Sequence, residues 1–198
     1  YSWLCEHLET DKNATEIGDA LTNLGLELES LTDYSSYSKF VVATIKDFHR
    51  HPNADRLNIC TVDDGTNTYQ VICGANNVKK GLKGIFAKDG MYIPGTQIYL
   101  KKGKIRGEIS EGMLLSEREL NLSDDHDGII ELSDNFENGT SAIDALKLND
   151  PVFEIGITPN RGDCLGVRGV ARDLSAKGIG KLKPLKYEKI TKLDFESP

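Results

Sequence analysis

The sequence has 198 residues, of which 38% are hydrophobic, 28% charged and 7% aromatic, a composition ordinary for a folded chain of one large or two small domains. No apolar run approaches the ~20 residues that a membrane-spanning helix needs. The net charge of −7 argues against a protein that wraps nucleic acid by bulk electrostatics.

Residues 1–38 are predicted to hold a helix and a strand. Asn13 with Glu16 three residues later is typical of a capping box. Apolar residues then recur at helical spacing up to Leu24, and Gly25 fits a helix stop. Leucines that alternate with glutamates follow, which predicts a half-buried strand. The polar stretch TDYSSYS, residues 32–38, marks the first domain boundary.

The middle segment, residues 39–150, changes to an apolar period of two. The predicted strands are short and separated by glycine-containing turns, which favours a closed or nearly closed β-barrel over a βαβ sheet. They lie near Phe40–Phe48, Leu57–Val62, Tyr69–Cys73, Lys83–Phe86, Ile98–Leu100, Gly112–Leu115 and Gly128–Leu132.

The last segment, residues 151–198, returns to mixed structure. A strand is predicted after Val152 and a helix from Cys164 to Leu174, with Asp163 near the helix N-terminus. A basic tail follows that includes Lys186, Lys189 and Lys192. Residues 1–38 carry a charge of −7 and residues 151–198 a charge of +3, and neither end has enough apolar residues for its own core. We therefore expect one discontinuous α+β domain built from both ends, with the barrel inserted between them.

A cluster of basic residues is the main functional candidate. Residues 79–106 hold eight bases and one acid, Asp89, whereas residues 117–150 hold ten acids and two bases. Lysines on barrel loops can follow a phosphate backbone, and Phe86, Tyr92 and Tyr99 are candidate stacking partners for bases. The alternative interpretation is a merely solvated lysine-rich face. The candidate RNA-binding residues are Lys79, Lys80, Lys83, Lys88, Lys101, Lys102, Lys104 and Arg106.

Other motifs favour structural roles. His49 and His51 could share one face of a strand, but a third metal ligand is not evident, and HPNAD reads as a turn. The acids around His126 could hold a cation, although a solvated acidic turn is the simpler interpretation. The four cysteines form no C-x-x-C pair and are interpreted as reduced core thiols of a cytoplasmic protein. We predict no catalytic residue and no metal site.

Four motifs together carry a family resemblance. They are HPNADRLNICTVDDG, QVICGANNV, IPGTQI and GKIRGEISEGMLLSEREL, and over residues 39–122 they resemble the tRNA-binding module of the oligonucleotide-binding (OB) fold. The flanks SWLCEHL, LTNLGLELES and EIGITPNRGDCLGVRGVARDLSAKG are similar to the N-terminal part of the bacterial phenylalanyl-tRNA synthetase β subunit, where a discontinuous domain surrounds the module. Two departures are Leu115, where a Cys is common, and Gly166, where a Ser is common.

The resemblance implies a cytoplasmic (αβ)₂ heterotetramer that attaches phenylalanine to its tRNA with ATP and Mg²⁺. Aminoacylation would belong to the α subunit and editing to later domains of the β subunit. The fragment itself would be noncatalytic and without a cofactor, and would supply scaffold and auxiliary tRNA binding, with neither membrane nor DNA as a partner. Two alternatives stay open: a protein-interaction module that never touches tRNA, and a free-standing tRNA-binding protein, against which the flanks argue.

Overall fold

A computed structural model describes residues 1–185; the predicted tail residues Lys186, Lys189 and Lys192 lie outside the described residues. The α-helices are α1 (Ser2–His7), α2 (Ala14–Asn23), α3 (Ala142–Leu146) and α4 (Val167–Ala176), with 3₁₀ helices at Ser35–Lys39 and Pro159–Cys164. The strands are β1 (Leu8–Glu9), β2 (Glu27–Thr32), β3 (Val41–Arg50), β4 (Asn58–Asp63), β5 (Thr68–Cys73), β6 (Lys83–Lys88), β7 (Tyr92–Ile93), β8 (Ile98–Tyr99), β9 (Gly103–Ile105), β10 (Glu108–Ser110), β11 (Gly112–Leu114), β12 (Val152–Gly156) and β13 (Lys181–Leu182).

The chain folds into two compact units. The terminal unit comprises Tyr1–Asp33 and the segment that begins at Asp150, and the barrel unit comprises Tyr34–Asn149. The 3₁₀ helix at Ser35–Lys39 falls in the barrel unit because Tyr37 and Phe40 are buried in a barrel-unit core cluster. Within residues 1–185, no helix has the length and apolarity to cross a membrane.

The terminal unit packs its helices around one apolar core. The predicted capping box is confirmed: Asn13 Oδ1 accepts from the Glu16 amide at 2.9 Å, and Glu16 Oε2 accepts from the Asn13 amide at 3.0 Å. Gly25 ends α2 with a φ of 77°, which glycine adopts without strain. Strand β2 pairs antiparallel with β12, and β1 pairs antiparallel with β13. Fully buried core members include Leu8, Ile17, Leu21, Leu26 and Leu174.

The barrel unit is built on a five-stranded antiparallel sheet in the order β11-β6-β3-β4-β5. Its two edges come together because the Glu111 amide donates to the Gln70 carbonyl at 2.9 Å and the Ile72 amide donates to Ser110 Oγ at 3.1 Å. The sheet is therefore nearly closed, as the sequence predicted, and consistent with an OB-like domain. Ile45, Val62, Val71 and Phe86 fill its interior and are fully buried.

Two short hairpins extend the barrel unit. Strands β7 and β8 pair with Tyr92 opposite Tyr99. Strands β9 and β10 pair with Ile105 opposite Glu108, so a two-residue loop of Arg106 and Gly107 joins them. Both loop residues have positive φ, 54° and 102°, as a type I′ hairpin turn requires.

Two local predictions are wrong. Residues 128–132 form no strand: the Ile129 amide donates to Asn77 Oδ1 at 2.9 Å, and the segment makes one isolated bridge, between Leu132 and Lys83. Asp163 does not cap α4, whose N-cap is Gly166 without a side-chain hydrogen bond. The Asp163 carboxylate instead forms ion pairs with the guanidinium groups of Arg161 and Arg172.

Candidate nucleic-acid interface

Five of the eight candidate basic side chains already have protein partners. Lys79 Nζ lies 2.6 Å from Glu131, Lys80 Nζ 3.8 Å from Asp47 and Lys102 Nζ 2.6 Å from Glu111. Lys83 Nζ donates to the Asp134 carbonyl at 3.0 Å and also to the Phe136 carbonyl. The acidic segment that follows the basic cluster supplies one carboxylate partner, Glu131, and the two carbonyl groups that bind Lys83. Because these side chains already have partners, they are poorer candidates for phosphate contacts than lysines without one.

Lys88 is the one of these five lysines whose ion-pair partner is a fully buried carboxylate. Its Nζ lies 2.5 Å from Asp64 Oδ2 and 5.7 Å from the centre of the Tyr69 ring. Only 2% of the Asp64 side chain is exposed. Burial raises the pKa of this carboxyl group, but hydrogen bonds from Lys88 and from the amides of Asn67 and Thr66 outweigh burial and hold the pKa at about 2. Lys88 therefore neutralises a buried charge.

Three basic side chains remain available. Lys101, Lys104 and Arg106 are exposed and have no hydrogen-bond or ion-pair partner for their charged groups among residues 1–185. Lys104 lies in β9, and Arg106 occupies the tip of the β9–β10 hairpin. The sequence cluster thus reduces to one short stretch in which three cations face solvent.

The motif HPNADRL supports that hairpin, and its predicted turn is confirmed. His51 is 4% exposed; its Nδ1 accepts from the Asn53 amide at 3.0 Å, so Nε2 carries the proton and donates to the Ile105 carbonyl at 3.1 Å. Asn53 Nδ2 also donates to the Arg106 carbonyl at 3.4 Å. Because His51 is fully used in these hydrogen bonds, it acts as a brace for the hairpin, and the suggested pairing with His49 as metal ligands finds no support.

Exposed aromatic rings lie close in sequence to the free cations. Tyr92 is 45% exposed and Tyr99 67% exposed, and their ring centres are 5.2 Å apart. Tyr99 precedes Lys101 by two residues. Phe86, the third aromatic candidate, is fully buried and cannot stack on a base. We call Tyr92, Tyr99, Lys101, Lys104 and Arg106 the hairpin patch.

A second surface was not singled out from the sequence. A cleft of about 650 Å³ opens beside the end of β3 and is lined by Phe48, Arg50, Arg56 and Asn58, among others. Phe48 lies opposite Cys60 in the β3–β4 ladder, and Arg50 lies opposite Asn58. The sequence does carry a signal for this surface. Arg50 and Arg56 flank the HPNAD turn, and Arg50 follows the aromatic strand residue Phe48 by two positions.

A group of potential metal ligands lies in the terminal unit. One oxygen of Asp163, one oxygen of Asp173 and the Cys164 sulfur lie within 4.8 Å of one another. Arg161 and Arg172 pair with both carboxylates. Hydrogen bonds from Arg161 hold the pKa of Asp163 at about 2. Two guanidinium groups therefore occupy the position a cation would need, and the donor set fits a salt-bridge network better than a metal ion.

Two comparisons with known proteins, one with family models and one with individual sequences, both find tRNA-related proteins. The family described as "Putative tRNA binding domain" matches residues 40–141. The phenylalanine–tRNA ligase β subunit of Brucella abortus (strain 2308) is 50% identical over 183 residues, which are 92% of this chain and 23% of that protein. The corresponding β subunit of Paramagnetospirillum magneticum is 51% identical over 189 residues, 95% of this chain and 24% of that protein.

A solved structure of a MetRS related protein from Pyrococcus horikoshii has a TM-score of 0.38 at 22% identity, over 52% of this chain and 87% of that one. The chain spans about a quarter of the length of the two β subunits above. With residues 40–141 matching the domain model and about half of all residues shared with these relatives, the chain belongs to the tRNA-binding domain family, in the form found in phenylalanine–tRNA ligase β subunits.

Proposed function

We propose that this chain is a noncatalytic part of a phenylalanine–tRNA ligase β subunit that supplies auxiliary tRNA binding and scaffold to the enzyme. The observation that carries the tRNA-binding role is the hairpin patch, in which three cations without a partner in the described part of the chain accompany two exposed aromatic rings on a domain of the tRNA-binding family. Cations that have no internal partner lose no ion pair when they meet a phosphate. Of the eight cluster residues, Lys101, Lys104 and Arg106 are therefore our candidates for direct contact.

The chemistry of aminoacylation would belong to other parts of the enzyme. ATP and Mg²⁺ would serve the complete ligase, in which an α subunit would carry aminoacylation within an (αβ)₂ assembly located in the cytoplasm. We assign no cofactor to this chain. Its one candidate metal cluster in the described range, around Asp163, is already paired with arginines.

The scaffold role would belong to the terminal unit. We propose that this unit is a single discontinuous domain into which the barrel unit is inserted, and the grouping of both chain ends into one compact unit supports the proposal. The terminal unit has an apolar groove bordered by Trp3, Val152 and Leu165, which are 64%, 60% and 76% exposed. Since the relatives are about four times as long as this chain, we propose another part of the longer polypeptide as the occupant of the groove.

Salt-dependent tRNA binding tests the hairpin patch. The triple variant Lys101→Gln, Lys104→Gln, Arg106→Gln should weaken tRNA binding and reduce the slope of log K against log salt by about 2 to 3, one contact for each lost cation. The matched control is Lys79→Gln, Lys80→Gln, Lys102→Gln, which removes the same charge from paired lysines and should change the slope little. Equal effects of the two triples would show that only bulk charge matters and would reject the patch.

A second candidate function is docking of a protein on the same hairpins. It is favoured by Ile98, Ile105 and Ile109, which lie in the strands of these hairpins and are 53%, 41% and 42% exposed. Crosslinking within the complete ligase separates the two candidates. Crosslinks from residues 98–109 to tRNA support the first function, and crosslinks only to protein support the second.

A further inference from the structure

The cleft beside the end of β3 combines the chemical groups that bind an unpaired base. Phe48 is 37% exposed, so part of its ring is open to solvent on one side of the cleft. Directly opposed residues on antiparallel strands project to the same face, which places Phe48 and Arg50 on the face shared by Cys60 and Asn58. The cleft is therefore a mouth at one end of the barrel interior.

Asn58 is the unusual member of the cleft. It is only 7% exposed, yet its Oδ1 is buried and has no hydrogen-bond partner among residues 1–185. A buried amide without a partner costs about 1 to 3 kcal/mol, so such groups are few in folded proteins. Asn58 lines the cleft, so the amide with the unpaired oxygen belongs to the cleft wall.

Charge in the cleft favours a nucleotide over an apolar ligand. Arg50 Nη1 donates to the Asp55 carbonyl at 3.0 Å, and Arg56 is exposed without a described ion-pair partner. The acid lining the cleft is Asp55, so the two arginines leave a net positive charge. The volume of about 650 Å³ lies within the range of about 300 to 1,000 Å³ typical of small-ligand sites.

We propose that this cleft binds one unpaired nucleobase of single-stranded RNA, stacked on Phe48 and hydrogen-bonded to the Asn58 amide, with Arg50 and Arg56 contacting the adjoining phosphates. Aromatic stacking combined with an edge contact is how proteins hold splayed-out bases. The inference rests on the proposed tRNA-binding function and adds a base-binding subsite to it. The HPNADRL motif would then have two roles. Its turn supports the β9–β10 hairpin, and its Arg56, together with Asn58 of the following strand, lines the cleft.

Fluorescence anisotropy with the 198-residue chain tests the subsite. The probes are a labelled short oligoadenylate and an abasic strand with the same number of phosphates. Phe48→Leu keeps an apolar side chain but removes the stacking face, and it should weaken oligoadenylate binding about 5- to 150-fold. It should leave the abasic strand unaffected. Phe48→Tyr should bind within about two-fold of wild type because it keeps the ring.

Asn58→Leu tests the proposed hydrogen bond to the base independently of the stacking on Phe48. Replacing a buried amide whose oxygen has no partner within residues 1–185 by an apolar group of similar shape should leave the midpoint of urea unfolding unchanged or raise it. The same variant should weaken oligoadenylate binding while leaving the abasic strand unaffected. A wild-type chain that binds both probes equally, or a Phe48→Leu variant that binds oligoadenylate normally, would overturn the subsite.

The two proposals fail in different ways. If the hairpin-patch triple loses tRNA while Phe48→Leu binds oligoadenylate like wild type, the subsite is rejected and the tRNA-binding function stands. If Phe48→Leu loses oligoadenylate while the hairpin-patch triple binds tRNA like wild type, the subsite stands and the hairpin patch is rejected. Failure of the wild-type chain to bind any of the RNA probes rejects both.

Discussion

Replacing Lys88 by Met distinguishes a structural lysine from an RNA-binding one. The side chain of Asp64 is 2% exposed, and Lys88 is its ionic partner at 2.5 Å. The drop of the Asp64 pKa from 3.8 to about 2 corresponds to about 2 kcal/mol of stability at neutral pH. Removing one partner of a fully buried pair costs about 3 to 5 kcal/mol. Lys88 is 35% exposed and two amides would still bind the carboxylate, so we expect a loss of about 2 to 3 kcal/mol.

The measurement is urea unfolding as a function of pH. Because the folded pKa of Asp64 lies below its unfolded value, the stabilisation is complete above about pH 4 and is lost as pH falls toward 2. The wild-type free energy of unfolding should therefore decline over that window, and Lys88→Met should show a smaller decline from a lower plateau.

Lys101→Met is the matched control for this experiment. Its side chain is exposed and has no described partner, so its free energy of unfolding should stay within about 0.5 kcal/mol of wild type. In tRNA binding the order should reverse, with Lys101→Met weakened and Lys88→Met retained. If Lys88→Met is as stable as Lys101→Met and binds tRNA less well than wild type, Lys88 is an RNA-contact residue and its pair with Asp64 does not stabilise the fold.

Two further predictions concern packing and thiol chemistry. Gly95→Ala should lower the free energy of unfolding by at least about 2 kcal/mol, because its Cβ would lie 1.9 Å from the Arg118 carbonyl oxygen. The control is Gly162→Ala, whose Cβ meets nothing within 4 Å. Equal unfolding midpoints for the two variants would contradict the clash. Burial raises the pKa of the Cys60 thiol to about 12, so at pH 8 iodoacetamide should label the partly exposed Cys5 well before Cys60. Mass spectrometry reports the order, and simultaneous labelling in the folded chain would contradict it.

Local signals predicted much of the fold. The Asn13–Glu16 capping box and the Gly25 stop are set by residues close in sequence, so helix α2 was predictable. Six of the predicted strands lie within about two residues of observed ones, because alternation of apolar residues reports burial of one face. The β9–β10 hairpin was not predicted as a pair of strands. Its residues are mostly exposed and polar, and its turn places Arg106, an uncommon residue there, at positive φ.

The candidate site was less predictable because charge in a sequence does not reveal its partner. Lys79 and Glu131 are 52 residues apart, and Lys88 pairs with an aspartate from the β4–β5 turn. Only the folded barrel decides which lysines are already neutralised. The same holds for Asn58, whose missing partner is a property of its surroundings and leaves no mark on the sequence.

The closure of the barrel has a consequence for its motion. Along the line where β5 meets residues 109–111, one backbone hydrogen bond joins the two sides within the described chain, from Glu111 to Gln70. The other bonds use side chains: Ser110 Oγ, Glu111 Oε2 and Gln70 Nε2. This line is therefore a seam held mainly by side-chain hydrogen bonds, which open more readily than the backbone hydrogen bonds of a strand ladder. Amide protons at this seam, those of Gln70 and Ile72, should exchange with solvent before those of the β3–β4 ladder, so breathing of the barrel starts next to the root of the β9–β10 hairpin.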